Sequence, residues 1–371
     1  MDAQRLKDSF AKVAVHGDEV PLFFYSDLFL RHPETRDFFP VAMNAQRDRL
    51  VQALMRIVSN VDNLSEVVPF IQGLGRDHRK FGAVAGHYNA VGDSLLAALA
   101  HFSGPDWTPD LKAEWQDAYG LVAKVMIEAA QADESLHPAW WDATVIDHEL
   151  RSFDIAVFRV TTHQRLPYGP GQSVAIESGD VPRIWRFYSM ANAPREDSTI
   201  DFHVQMADGG ALSTVLVRGL RVGSQLRLGQ AVGTFTLDKL PERDILLVAG
   251  GTGLAPVKAI AEQVAELRDP PRVHLFFGAR RAEGLYDLPD LEKMAAQQPW
   301  LTVVSAVSDE PDHPGERGLI SDVVSRSGSW DRHEVYVAGP TAMVEATVAK
   351  LTSARVPAER IHVEDFGWST S

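Results

Sequence analysis

The sequence predicts a multidomain protein with an all-α domain, then an antiparallel β-barrel, then an α/β domain with a parallel sheet. Its 371 residues exceed what one hydrophobic core ordinarily holds. Its hydrophobic pattern also changes twice, from helical spacing to alternation, and then to strands that alternate with helices. The expected domains are residues 1–133, 142–240 and 241–371, with residues 132–141 as a linker.

In the first domain, apolar residues recur three and four positions apart, which is typical of amphipathic helices. Glycines and prolines lie between these runs rather than within them. The runs include Phe23, Phe24, Leu28 and Phe29, then Leu50, Leu54, Ile57 and Val61, then Leu121, Val122, Val125 and Met126.

In the second domain the period is two, as in half-buried strands. The runs FDIAVFRVTT, SVAIE, IDFHVQM and SQLRLG are separated by turn residues such as Gly169-Pro170-Gly171. This pattern favours a small antiparallel barrel.

In the third domain, short apolar runs alternate with helical ones. The strands are ILLVAG, VHLFFG, TVVSAVS and EVYVAG, and the helices include APVKAIAEQVAEL and TAMVEATVAKL. Such alternation predicts a parallel sheet flanked by helices, with its ligand crevice at the carboxyl ends of the strands.

Composition excludes several classes of protein. A net charge of -14 with no basic stripe argues against a nucleic-acid partner. No apolar run approaches the ~20 residues of a membrane span, and the first residues lack a secretion signal, so we expect a cytoplasmic location. With no cysteine, the chain cannot use disulfides, thiolate haem ligands or iron–sulfur clusters.

One histidine in the helical domain has neighbours that suggest a metal ligand. His78 follows Tyr25, Phe39, Gln46 and Leu50 in an order that resembles the globin domain of the flavohaemoglobins, and this resemblance covers nearly the whole chain. It implies haem b, with His78 as the proximal iron ligand. It also implies Tyr25 and Gln46 as the distal hydrogen-bonding pair, and Phe39 and Leu50 as residues that pack the haem.

Two alternatives remain open for this domain. It can be an all-helical domain without haem, or His87 can be the iron ligand, although its HYNAVG setting matches a different position of the family.

The resemblance also exposes two departures. Family members carry a glutamate on the last globin helix that pairs with the proximal histidine and a nearby tyrosine. Tyr88 and Tyr119 match the tyrosines of this region. The glutamate position, however, holds Ala130, with Glu128 nearby. Asp77 stands where many relatives have lysine. Both changes predict that the proximal histidine donates less electron density to the iron. They also predict a changed rate of electron transfer to the haem.

The run RFYS carries Arg186, Tyr188 and Ser189, and alternation places the first two on one face of a strand. This resembles the flavin motif of the ferredoxin-reductase superfamily. The resemblance implies FAD, with Arg186 at the pyrophosphate, Tyr188 on the isoalloxazine ring and Ser189 near its reactive nitrogen. A solvated strand face is the alternative.

The matching second half of this site comprises Gly209, Gly210 and Ser213, where a helix start can hold phosphate.

A glycine-rich turn follows the first strand of the α/β domain. Gly250, Gly251, Thr252 and Gly253 are followed by Leu-Ala-Pro256, so the turn is neither a G-x-G-x-x-G fingerprint nor a P-loop. It resembles the nucleotide turn of ferredoxin-reductase relatives, which implies binding of NADH or NADPH; a purely structural turn is the alternative.

Two further segments bear on nucleotide binding. Arg280 and Arg281 follow the second strand and can hold a 2'-phosphate, although NADH users also carry arginines there, and we favour NADH. Gly339 and Pro340 resemble a C-G-P turn at the nicotinamide, with Ala338 in place of cysteine, which we expect to slow hydride transfer.

The end of the chain, IHVEDFGW, resembles the ending of the family. This implies that Glu364 and Phe366 lie near the flavin and the nicotinamide. A terminal strand that only closes the sheet is the alternative.

The resemblance implies an NAD(P)H-dependent oxidoreductase that passes electrons through FAD to haem and oxidises nitric oxide to nitrate with dioxygen, with Tyr25, Gln46, Tyr88 and Glu364 in the reaction. A second hypothesis is an NAD(P)H- or organic-acid-linked flavin reductase or dehydrogenase that serves another acceptor. A third is gas or redox sensing, in which haem occupancy regulates the reductase. Protein partners are not indicated by the sequence.

Overall fold

The computed structural model describes residues 2–237 and 242–364. It consists of two compact units, one ending at Trp140 and the other beginning at Trp141. The predicted fold class is confirmed: a helical unit is followed by a nearly closed antiparallel sheet and then by a parallel sheet flanked by helices. No helix within residues 2–237 and 242–364 is long and apolar enough to cross a membrane.

The first unit is helical, with its apolar core formed by residues such as Leu28 and Leu99. The side chain of Asp2 caps the first helix, and Thr108, followed by a proline, caps the last one. The helices are α1 Ala3–Ala14, α2 Glu19–Arg31, α3 Asn44–Ser59, α4 Leu64–His78, α5 His87–Ser103 and α6 Pro109–Glu134.

The expected linker, residues 132–141, is too long at both ends. Helix α6 continues to Glu134, and the first strand already begins at Trp141. The buried carboxylate of Asp133 pairs with Arg79 and also contacts His137 Nδ1 at 2.9 Å, which holds the last turn of α6 in place. Sequence periodicity does not reveal such a tertiary contact.

The second unit begins with six antiparallel strands in the order β4-β3-β6-β1-β2-β5. A bridge between Met190 and Phe202 joins the two edges, so the sheet is nearly closed. Alternate residues such as Phe158 and Val160 fill its interior. The strands are β1 Trp141–Leu150, β2 Ile155–Thr162, β3 Ser173–Ser178, β4 Arg186–Ser189, β5 Thr199–Gln205 and β6 Gln225–Val232, and one helical turn, α7 Ala211–Thr214, follows β5.

The parallel sheet has the order β10-β9-β8-β7-β11-β12. Its strands are β7 Ile245–Gly250, β8 Val273–Ala279, β9 Leu301–Val307, β10 Glu316–Arg317, β11 Glu334–Ala338 and β12 Ile361–Val363; its helices are α8 Leu254–Ala265, α9 Leu288–Gln297, α10 Ile320–Ser327 and α11 Thr341–Ser353. The sequence pattern did not reveal β10 and α10.

Apolar residues pack on both faces of the parallel sheet. One of these clusters also contains Ile155 and Phe235 from the barrel segment, packed with Ile245 and Tyr336. The barrel and the parallel sheet therefore share a core.

Candidate functional site

His78 is the last residue of α4 and has the chemistry of an iron ligand. Its Nδ1 lies 2.7 Å from the carbonyl oxygen of Leu74. A carbonyl only accepts, so Nδ1 donates and the lone pair remains on Nε2. Burial lowers the pKa of His78, although the charge of Asp77 opposes this, and the imidazole therefore stays neutral. A neutral ring oriented by a carbonyl fits the requirements of a haem iron.

The predicted distal residues lie together in the core of the same unit. Tyr25 is buried on α2, and its hydroxyl donates to the main-chain oxygen of Gln46 at 3.5 Å. The Phe39 ring lies 5.3 Å from the Tyr25 ring, and Leu50 packs against the same cluster. Burial raises the pKa of Tyr25 to about 12, so its hydroxyl remains a hydrogen-bond donor.

The two departures on the proximal side have clear structural counterparts. Glu128 is exposed and lies 3.8 Å from Lys124, so it does not replace the glutamate absent at Ala130. Asp77 forms an ion pair with Lys80, whose ammonium group is buried. A lysine therefore does approach the position before His78, but its charge is neutralised.

The two tyrosines of this region are joined to each other. The hydroxyl of Tyr119 donates to the main-chain oxygen of Tyr88 at 2.5 Å. The Tyr119 ring packs so closely on Gly92 that a Cβ there would lie 2.5 Å from it. Burial raises the pKa of Tyr88, which keeps its hydroxyl protonated.

The rival histidine, His87, has a local structural role. Its Nδ1 accepts from the main-chain N–H of Val84 at 3.2 Å, at the start of α5. Its ring lies 4.8 Å from that of Phe38. With Nδ1 as an acceptor, Nε2 carries the proton, which makes this tautomer less suitable as an Nε2 ligand.

In the second unit, the predicted flavin residues lie on β4. The Arg186 guanidinium donates to the Trp185 carbonyl at 2.9 Å and pairs with no carboxylate among the described residues. Burial raises the pKa of Tyr188 to about 12. A cation with no acidic partner in this part of the chain, next to a flat ring, suits a phosphate-bearing aromatic cofactor.

Glu364, just beyond β12, contacts the end of this motif. The hydroxyl of Ser189 donates to Glu364 Oε1, while Oε2 is buried without a hydrogen-bond partner in the described part of the chain. Burial raises the pKa of Glu364 to about 8, so its carboxyl is largely neutral near pH 7 with the proton on Oε2. The other predicted residue of this segment, Phe366, lies outside the described residues.

The glycine turn after β5 is held by its own serine. Ser213 Oγ accepts from the N–H of Ala207 at 3.0 Å and donates to the carbonyl of Gly210 at 3.1 Å. A Cβ on Gly210 would lie 2.4 Å from this hydroxyl. Ser213 therefore shapes the turn, while Gly209, with φ of +70°, provides its left-handed position.

The glycine turn after β7, the predicted nucleotide turn, packs against the turn that follows β11. A Cβ on Gly253 would lie 2.5 Å from the carbonyl atoms of Ala338, and a Cβ on Gly250 would lie 2.5 Å from Met343 Sδ. Gly339, with φ of +151°, completes this contact. The glycines thus bring together two turns at the carboxyl ends of neighbouring strands, where a nucleotide fits.

The remaining predicted nucleotide residues border this edge of the sheet. Arg280 and Arg281 are exposed and follow β8, the neighbour of β7. Thr252 lies within the glycine turn itself, and Pro340 begins the approach to α11.

Sequence reasoning missed a group of polar residues between the barrel and the parallel sheet. Lys258 and Glu262 lie on α8, whose other residues are mostly buried and apolar. Their spacing of four places them on one side of the helix. Two charged residues on one side of an otherwise apolar helix are the sequence feature that could have predicted this polar group.

Three sequence families match the chain in succession. The globin family matches residues 22–126, the oxidoreductase FAD-binding domain matches residues 142–237, and the oxidoreductase NAD-binding domain matches residues 247–349.

Relatives cover either the whole chain or its second unit. A flavohemoprotein of Bacillus cereus is 28% identical over 96% of this chain and 94% of its own length. The ferredoxin–NAD(P)+ reductase component of the naphthalene 1,2-dioxygenase system of Pseudomonas putida is 32% identical over 66% of this chain and 75% of its own length.

Among solved structures, the flavohemoglobin of Malassezia yamatoensis has the same fold, with a TM-score of 0.78, 20% identity and 98% coverage of both chains. The order of the three domains, together with full-length relatives of the same name, places the chain in one family. This chain belongs to the flavohemoprotein family and is an oxidoreductase with a globin domain, an FAD-binding domain and an NAD-binding domain.

Proposed function

We propose that this flavohemoprotein oxidises nitric oxide to nitrate with dioxygen, using electrons from NAD(P)H. The observation that carries the proposal is the buried Tyr25 hydroxyl, which remains protonated in an apolar cluster of a globin domain that also holds a neutral His78. A hydrogen-bond donor in an apolar pocket favours a ligand that develops negative charge, as dioxygen does. The second unit supports the proposal because it supplies a reductase in the same chain.

When bound, FAD would supply hydride acceptance from NAD(P)H and one-electron release, and haem b would supply dioxygen binding. We infer that His78 Nε2 holds the iron, while the Tyr25 hydroxyl donates to the ligand and Phe39 and Leu50 exclude water around it. The single proton of this hydroxyl is directed to the main-chain oxygen of Gln46 at 3.5 Å, a long hydrogen bond that Tyr25 would give up when it donates to the ligand.

In the second unit, we infer that Arg186 binds the FAD pyrophosphate and Tyr188 packs on the flavin ring. The neutral Glu364 holds a proton at Oε2 next to Ser189. The glycine turn 250–253 and Gly339 bind the nucleotide, with Arg280 at its ribose. We favour NADH over NADPH.

The test is nitric oxide consumption by purified protein that contains haem and FAD. We expect NADH-dependent consumption that requires dioxygen, yields nitrate and exceeds that of free flavin. Tyr25→Phe should lower this rate by about 10-fold or more, since a hydrogen bond to a charged group contributes about 1.5–3 kcal/mol. Ser26→Ala, which removes an exposed hydroxyl from the same helix as Tyr25, is the control and should leave the rate unchanged. A wild-type rate equal to that of free flavin would exclude the proposal.

A second candidate function is reduction of a separate electron acceptor by the second unit. It is favoured by the 32% identity of this part to a reductase component that serves an oxygenase system. Reduction of ferricyanide or cytochrome c distinguishes the two functions, because His78→Ala should abolish nitric oxide consumption and leave acceptor reduction intact.

A further inference from the structure

Strand β5 has two chemically different faces. Ile200, Phe202 and Val204 point into the barrel core. Successive side chains of a strand point to opposite sides, so Asp201 and His203 lie on the other face, together with Gln205. His203 directly, and Asp201 through one partner, contact the part of the chain that we infer binds the nucleotide, and Gln205 lies beside it.

Asp201 begins a chain of contacts that ends on α8. Its Oδ2 lies 3.0 Å from Arg195 Nη1, and Arg195 Nη2 lies 3.4 Å from Glu262 Oε2. The same oxygen of Glu262 accepts from the N–H of Ala193 at 3.2 Å. Ala193 and Arg195 lie in the loop directly after the flavin motif on β4. Glu262 thus ties α8 to that loop and, through Arg195, to β5.

His203 makes the second contact. Its Nδ1 lies 2.9 Å from the Tyr286 hydroxyl, and both side chains are buried. Burial lowers the pKa of His203 and raises that of Tyr286, so this hydrogen bond joins two neutral groups. The next residue, Asp287, is fully buried and pairs with Lys258 of α8 at 2.6 Å.

Gln205, the last residue of β5, lies next to the nucleotide turn. Its Oε1 lies 3.9 Å from the position that a Cβ on Gly251 would occupy. Its Nε2 donates to Asp154 at 2.6 Å, which fixes the side chain.

We propose that Asp201, His203 and Gln205 are positioning residues that hold the nucleotide turn and α8 at a fixed distance from the flavin motif. The three residues are spaced along the strand at intervals of about 6.6 Å, so together they resist both sliding and tilting of α8. Hydride transfer needs reacting atoms about 3–3.5 Å apart, and a misplacement of about 1 Å can reduce the rate 100-fold. The inference rests on the flavin and nucleotide part of the proposed function and is independent of nitric oxide.

Two substitutions test it with little change of shape. Tyr286→Phe removes only the hydroxyl that reaches His203, and Glu262→Gln removes the charge that faces Arg195. The full-length protein with haem and FAD is mixed anaerobically with increasing NADH, which separates the limiting rate of flavin reduction from the NADH dissociation constant. We expect each variant to lower the limiting rate about 10-fold with little change in the dissociation constant.

Three measurements separate positioning from loss of structure. FAD content, flavin reduction by dithionite and the melting temperature should stay close to those of the wild type. Glu316→Gln is the matched control, since it disrupts an exposed pair with Arg326 on the edge strand β10, three strands from β7, and should leave the limiting rate unchanged.

An unchanged limiting rate in both variants would overturn the inference, as would a parallel loss of FAD and of reduction by dithionite. If Glu262→Gln fails to fold, Arg195→Met breaks the same pair from the other side and must then lower the rate. Failure of NADH to reduce the wild-type flavin would instead refute the proposed function, and the inference with it.

Discussion

Ser189, at the end of a barrel strand, donates a hydrogen bond to the carboxyl group of Glu364, 175 positions later in the chain. The contact joins the flavin motif to the end of the parallel sheet. Because Glu364 has a raised pKa, it also makes stability depend on pH.

The first prediction concerns this pH dependence. Burial raises the pKa of Glu364 to about 8, above its usual value, so the neutral group favours the folded state at low pH. That contribution is complete below the unfolded pKa of about 4.3 and is lost as pH rises through about 8. Relative to Glu364→Gln, the wild type should therefore lose a few kcal/mol of stability between pH 5 and pH 9.

Urea unfolding of both proteins at several pH values measures this difference. Glu359→Gln, at an exposed position nearby, serves as the control and should follow the wild-type curve. Parallel curves for wild type and Glu364→Gln would contradict the prediction.

The second prediction identifies the haem ligand. His78→Ala should abolish the haem absorption band of the purified protein or shift it to that of a protein without a histidine ligand. His87→Ala should retain the wild-type spectrum, because its Nδ1 is engaged by Val84. The reverse result would move the iron to His87, and retention of ferricyanide reduction in both variants would verify that the second unit is intact.

The third prediction concerns the nucleotide turn. Gly253→Ala should weaken NADH binding and destabilise the second unit by about 1–3 kcal/mol, because its Cβ would overlap the carbonyl of Ala338. Gly179→Ala is the control, since nothing lies within 4 Å of a Cβ there. Thermal unfolding and NADH titration measure both effects, and equal behaviour of the two variants would exclude the close contact.

The fourth prediction concerns a buried charge. Asp287 is fully buried and pairs with Lys258, whereas Asp290 is 44% exposed and pairs with Arg151. Asp287→Ala leaves the Lys258 ammonium, whose side chain is only 14% exposed, without its partner and should lower the free energy of unfolding by about 3–5 kcal/mol. Asp290→Ala should cost about 1 kcal/mol or less. Chemical unfolding of the two variants measures both losses of stability. A larger loss for Asp290→Ala than for Asp287→Ala would contradict the prediction.

Much of the fold follows from local pattern. The period-two runs and the alternation of strands with helices indicate the barrel and the parallel sheet because each face of a strand or helix must meet its own environment. The end of α6 and the short strand β10 were not predictable, since both depend on contacts with distant residues. Asp133, for example, extends its helix by pairing with Arg79.

The candidate site was predictable where residue order carries a resemblance, as for Tyr25, Arg186 and the glycine turn, and the roles of these residues stay predictions. The contact of Ser189 with Glu364 required tertiary structure. The roles of Asp201 and His203 also required tertiary structure. Alternation along the strand predicts one apolar and one polar face, but it does not show that the polar face packs against another part of the protein rather than facing solvent.

The core that contains Ile155, Phe235, Ile245 and Tyr336 has a consequence for how this protein unfolds. The barrel has an apolar interior of its own, but its segment also supplies Ile155 and Phe235 to one core of the parallel sheet, so removing the barrel would expose part of that core. The second unit should therefore melt in a single cooperative transition, and proteolytic cleavage near residue 240 should not release two stable fragments.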